Sequence, residues 1–574
     1  MFRRACLAAL AVFLVAASAR AQGIGAETPL RPVTRAVAIT DARVVVAPGR
    51  VLERATVVVR DGRIEAVGER LAVPFDAERI AGDSLTVYAG FVDAYGLAGV
   101  PTPKDPERFE GDRGDPPREL AGITPDRDVR DAFDVNDTRI GQLRAVGFTA
   151  AHVAPRDGLW AGQGAVVLLR ALGRGEHREA VLLTEPISLV AQIDPASGVY
   201  PATPMGVLAV LRETVENARR RGAARQAFDR AAEGAARPRY DPTLDALQLL
   251  LDGDRRFVFV AGSWLDGFRA LRVSQEMELA PILAGVPDAA PLLDRLRRSR
   301  VPVIAPLALP DTVKADSAAL ALPLPTTTPG SSAFVSDRRT LSYRDLDDET
   351  SVLTTQKRAA VAAAEASPGR LAAAEVPFAF GTFEAKPGDL HANLRRMIAA
   401  GLSEDAALAA LTTAPAEMLG LGRELGTVER GKLANLVVTD GPLFADSTVV
   451  RHVFVEGVGY EIKAADRPTA ADPDAVVQVT GTWDFEVETP AGTQTGSFTV
   501  EGSAGSYTGS ITSQGSTDPF LSVTVEGNAL TASFRNDDLG ALTLTGLIAG
   551  AELSGSIEAG AFGSLPLTAT RRPE

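Results

Sequence analysis

The chain has 574 residues, 45% of them hydrophobic and 23% charged, and a formal net charge of −14. At roughly 150 residues per domain that length predicts about three or four domains with sizeable cores, and the acidic balance excludes a general nucleic-acid binder, which would carry a basic stripe. The one cysteine, Cys6, lies in the N-terminal leader. The processed chain therefore has no disulfide, no thiolate ligand and no Cys nucleophile.

Residues 1–21 read as a secretory signal: Arg3 and Arg4, the apolar run "ACLAALAVFLVAASA", then the small-x-small site Ala19-Arg20-Ala21. Cleavage near Ala21 predicts a secreted or periplasmic protein. No later stretch is long and apolar enough to span a bilayer as a helix. Residues 36–68 alternate apolar and polar positions between the turns Pro48-Gly49 and Asp61-Gly62, which predicts a small antiparallel sheet. From 87 to 420 short apolar runs alternate with helical periodicity. "AAHVA" (150–154), "GAVVLL" (164–169), "RFVFVAG" (256–262), "LAPILAG" (279–285), "VPVIAPL" (301–307) and "VPFAFGT" (376–382) read as buried strands. That alternation predicts a parallel sheet closed into a (β/α)8 TIM-like barrel.

Residues 421–462 return to strands and turns and complete the sheet begun at 36–86, giving a composite β-sandwich domain built from both flanks. A Pro/Asp/Ala linker follows at 463–477. Residues 478–574 are rich in Gly, Ser and Thr, with turn signals about every 8–12 residues, and predict a separate all-β sandwich or barrel. Its Trp483, in "GTWDF", reads as core rather than as a ligand platform.

Three stretches carry a family likeness. "GLSEDAALAALTTAPAEMLGLGRELGTVERGKLANLVV" (401–438) is the most specific, and "VVVRDGRIEAVG" and "VGFTAAHVAPRDGLWAGQGAVVLL" (146–169) agree with it. On these motifs residues 36–462 resemble the amidohydrolase superfamily, similar to its exported imidazolonepropionase- and dihydroorotase-like members. The resemblance implies hydrolysis of non-peptide carbon–nitrogen bonds, in amides or lactams, by a zinc or other divalent ion. Such an ion lowers the pKa of a bound water and polarises the carbonyl. It also implies His-x-His after the first barrel strand, histidines after two middle strands, and an aspartate after the last.

At those positions this chain has Tyr95 and Leu97 in "GFVDAYGLAG", Val260 in "FVFVAGS", Val286 in "ILAGVPDA" and Phe383 in "FGTFEAKP". All five expected ligands are replaced, four of them by apolar residues. None of the six lysines outside the leader follows an early barrel strand, so a bridging lysine is missing too. The four histidines do not cluster: His152 reads as packed in a strand, His177 as surface, His391 as a helix start and His452 as part of the return strand. Glu185 and Asp266 are isolated carboxylates. A dication among Leu, Val and Phe would lose its hydration without compensation, so no cofactor is expected.

Two functions remain open. One is a pseudoenzyme that binds a small molecule, a homologous amidohydrolase chain or a second copy of itself. The other is an enzyme with a metal-free site, in which Asp93, Tyr95 or Glu384 supplies acid and base.

Overall fold

Gly90 divides what the sequence presents as one apolar strand. A side chain there would lie 2.3 Å from the Thr149 hydroxyl, so the chain bends, ending Thr86–Ala89 and starting Phe91–Gly96. The first of these strands belongs to a flanking sheet and the second opens a barrel. The boundary expected at residue 87 therefore falls at Gly90. The structure, a computed structural model, describes residues 27–29, 36–102, 109–193, 198–230, 237–310, 355–446, 448–462, 477–489, 492–503, 506–513, 516–536, 540–558 and 564–572. The signal reading at 1–21 and nearly all of the linker lie outside these residues. Two compact units divide the chain, Met1–Ala464 and Ala465–Glu574.

The barrel strands are β1 (Phe91–Gly96), β2 (Phe148–Val153), β3 (Trp160–Leu168), β4 (Ser188–Gln192), β5 (Arg256–Val260), β6 (Pro281–Ala284), β7 (Val303–Pro306) and β8 (Phe378–Gly381). They are hydrogen-bonded in that order, and a parallel bridge from Gly96 to Phe383 closes the ring. Strands covered on both faces are near-continuous apolar runs, and every residue of β1, β2, β6 and β8 is buried, the polar Asp93, Thr149 and His152 included.

One strand departs from the expected all-parallel arrangement. β3 runs antiparallel to both β2 and β4. The connection from Val153 to Trp160 is too short for a parallel return, which needs about a dozen residues or more. It turns on left-handed Asp157 and Gly158 (φ 56° and 110°). A Ser263 cap, accepting from the Asp266 amide, starts the helix Trp264–Glu276. That helix buries Gly267, Ala270 and Leu271 at the three-to-four spacing of one face.

In the flanking sheet, Leu436–Thr439 pairs with Thr86–Ala89, so strands from both ends of the unit share nine-stranded hydrogen bonding. Ile39, Val57, Val87, Leu436 and Phe454 share one apolar core there. The second unit is a closed antiparallel barrel from Gly481–Thr489 round to Ser564–Arg571. Trp483, Phe485 and Val487 are buried, while Asp484 and Glu486 are exposed. Its apolar face thus points inward, the reverse of a membrane barrel. Trp483 is a core residue, stacked on Phe498 and donating to the Val479 carbonyl at 3.0 Å. Among the described residues no helix is long and apolar enough to cross a membrane.

Candidate functional site at the barrel mouth

The C-terminal ends of β1 and β8 meet on Asp93. This carboxylate is fully buried and takes three hydrogen bonds: from the Tyr95 amide at 3.1 Å, the Thr382 amide at 2.9 Å and the Thr382 hydroxyl at 2.6 Å. Burial opposes its charge more than these donors and nearby Arg139 favour it, and its pKa rises from 3.8 to about 6. Each oxygen is directed at the strand partners, so Asp93 is the clasp that closes the barrel. Those donors occupy both of its oxygens, a supporting role, and Asp93 is 0% exposed.

Tyr95 and Phe383 pack against each other with ring centroids 4.9 Å apart and planes tilted by 30°. The Phe383 amide donates to the Tyr95 carbonyl at 3.0 Å. Phe383 keeps a left-handed backbone, φ 47°, a conformation that costs a side chain roughly 1–2 kcal/mol. Arg139 braces that turn, its Nη2 donating to the Phe383 and Ala385 carbonyls at 2.7 and 2.9 Å. Tyr95, Leu97, Val260 and Phe383 all join the apolar cluster that fills the barrel lumen, with Val190, Val258, Ile282 and Ile304. Burial pushes the Tyr95 phenol above its ordinary value.

Val286 does not join them. Left-handed Gly285 (φ 85°) breaks the strand alternation, and Val286 turns outward against Gly267 of the flanking helix. The backbone of Gly285 itself faces Val260 and Phe383. The lumen position after β6 is therefore Gly285, which has no side chain to donate. Glu384 is not part of the cluster either: its side chain is 78% exposed and pairs with Arg156 at 3.3 Å. Glu185 pairs with Arg130 on the surface, and Asp266 completes the helix cap with Ser263 and Arg269.

His152 is wholly buried one layer below Tyr95. Its Nδ1 lies 3.0 Å from the Ala94 carbonyl, which can only accept, so Nδ1 carries the proton. Nε2 then accepts from the Ser188 hydroxyl at 2.7 Å. Burial lowers the imidazole pKa to about 4. This Ser–His pair has the contact distance of a nucleophile and its base. However, Ser188 is 1% exposed, and a side chain at Gly164 would lie 2.6 Å from both atoms. It is an internal tie between β2 and β4. His177 is exposed, His391 lies 2.9 Å from the Val146 carbonyl, and His452 is in the flanking sheet.

The sequence reading passed over three contributors to this end of the barrel: Thr382, Arg139 and Arg156. Thr382 adjoins the expected aspartate position, and its hydroxyl was the available clue. The Nε atoms of both arginines are buried without a hydrogen-bond partner. Burial lowers the Arg139 pKa, as does the nearby Arg156 charge.

The divalent ion implied by the resemblance does not fit this donor set. The inward positions offer a phenol, apolar groups and a bare glycine, and the one carboxylate is committed to Thr382 and Tyr95. Among the described residues no three His, Cys, Asp or Glu side chains are grouped to hold a metal ion.

The comparisons with known proteins agree with this architecture. The family model described as "Amidohydrolase family" matches residues 335–460. An amidohydrolase from Thermotoga maritima MSB8 superposes with a TM-score of 0.56 at 21% identity, covering 74% of this chain and 100% of its own. A prolidase complexed with N-methylphosphonate-L-proline gives 0.43 at 16% identity, covering 75% and 100%. An adenosine deaminase from Xanthomonas campestris with bound zinc gives 0.38 at 15%, covering 76% and 95%. The last two scores carry no argument. No curated protein sequence matches. The likeness to the Thermotoga maritima amidohydrolase is one of fold, a TIM-barrel core, and the family match is confined to residues 335–460. The imidazolonepropionase- or dihydroorotase-like subtype is not supported by these findings.

Proposed function

We propose that this is an exported amidohydrolase-fold protein that has given up metal-dependent hydrolysis and acts by binding a ligand or a partner. The observation that carries the reading is the packed lumen. Phe383 lies on Tyr95, with Leu97 and Val260 in the same apolar cluster, where the fold's chemistry would need nitrogen and oxygen donors. A fold carries a reaction only through its site. The leader-like residues 1–21 support export, and a homologous amidohydrolase chain or a second copy is the partner class the resemblance implies.

The alternative, metal-free chemistry at Asp93 and Tyr95, is disfavoured by the same geometry: the carboxylate is sealed and the phenol is held in its protonated form. The test is an activity screen of residues 22–574 against dipeptides, N-acyl amino acids and lactams, with and without zinc or manganese. Product formation should match that of buffer. Sustained turnover abolished by D93N would overturn the proposal.

A further inference from the structure

At the opposite end of the barrel, the starts of β5 to β8 and the helix Thr413–Met418 surround a cavity of about 510 Å³. Most of its lining is apolar, with Phe257, Ile282, Phe378, Ala414 and Met418 among it. Pro302 and Pro377, which have no amide hydrogen to offer, also line it. The volume is in the range of about 300–1,000 Å³ typical of small-molecule sites.

Two arginines line this space, Arg255 and Arg256. Arg256 donates through Nε to the Met418 carbonyl at 2.9 Å. No carboxylate among the described residues pairs with it. A side chain at Gly420 would lie 2.3 Å from its Nη2, so this left-handed glycine leaves the guanidinium its room. Burial lowers the Arg256 pKa with no neighbouring charge to offset it. The acidic residues on the rim are directed elsewhere: Glu278 lies 3.6 Å from Arg219 and is 84% exposed, and Glu417 is on the surface. Arg255, also at the cavity, donates to Gln163. A half-buried guanidinium with no carboxylate partner can take a carboxylate, and the apolar part of the walls matches an apolar body.

The geometry points to a binding site for a small apolar monocarboxylate, a medium-chain fatty acid being the simplest member, with Arg256 as the anchor and the β5–β8 floor as the sleeve. The site is separate from the mouth and does not depend on the chemistry there.

Isothermal titration of residues 22–574 with octanoate tests it, with octanamide as the neutral isostere. Two variants separate anchor from sleeve: Arg256→Met removes the charge, and Ala280→Phe adds bulk at an exposed position lining the cavity. Octanoate should bind at one site per chain. Octanamide, and octanoate on R256M, should bind about tenfold or more weakly, the loss expected for a charged hydrogen-bonded partner. A280F should weaken both ligands. Equal affinity for octanoate and octanamide, unchanged binding to A280F, or no binding of octanoate at millimolar concentration would each overturn the assignment. Should R256M fold poorly after losing its tie to Met418, the octanamide comparison and A280F still decide the matter.

Discussion

Asp93 and His152 pull the stability of the barrel in opposite directions as pH changes, and Asp93→Asn separates them. Asp93 has its pKa raised from 3.8 to about 6 by burial. Its contribution is fully present below 3.8 and is lost as pH rises through 6, a change of roughly 3 kcal/mol. His152 has its pKa lowered from 6.5 to about 4. Its contribution is present above 6.5 and is lost as pH falls through 4, again roughly 3 kcal/mol. In the native chain the two nearly cancel across this window. The asparagine of D93N keeps an acceptor for the Tyr95 and Thr382 amides, can donate to the Thr382 hydroxyl, and does not ionise. Relative to the native chain, D93N should therefore gain roughly 3 kcal/mol between pH 4 and pH 6.5 and then level off. Urea denaturation read through Trp160, which is fully buried in the barrel, measures this once Trp264 and Trp483 are replaced by Phe in both chains. A pH-independent difference would refute the reasoning, because it would mean that the three donors outweigh burial at Asp93.

Three further outcomes follow from the packing. Thr382→Val removes the 2.6 Å hydroxyl bond to Asp93 and should cost about 1–3 kcal/mol, seen as a lower Tm that Thr382→Ser restores. Phe383→Asp restores a single donor to the mouth; zinc should not raise the Tm of this variant, because Leu97, Val260 and Gly285 still supply none. Trp483→Ala empties the core of the C-terminal barrel and should cost about 3–5 kcal/mol, read by calorimetry as a lower transition for that unit. A ligand-platform role for Trp483 would leave that transition in place.

The sequence disclosed the architecture where periodicity and turn chemistry agree. The composite sheet, the barrel segment and the C-terminal strands follow from alternation bounded by Gly, Pro and Asp. The antiparallel β3 was also legible in principle: "PRDG" is a hairpin turn, and the helix-bearing runs on either side drew it into a parallel reading. Of the five positions, Tyr95, Leu97, Val260 and Phe383 lie in the lumen cluster, while Val286 lies against Gly267 because left-handed Gly285 reverses its facing, and φ is not written in the sequence. Asp93 looked available because sequence does not show how many donors converge on a carboxylate. Arg256 drew no notice at all, since an arginine opening a strand is ordinary until the cavity around it is seen.

The central claim is that the barrel mouth no longer holds a catalytic ion, and metal content tests it most directly. Residues 22–574, purified from zinc- and manganese-supplemented medium and desalted, are measured by inductively coupled plasma mass spectrometry. The packed lumen predicts a metal-to-chain ratio near zero. A ratio of about one or two, the stoichiometry of metal-assisted hydrolysis, retained through desalting and lost on mutation at the mouth, would contradict the account.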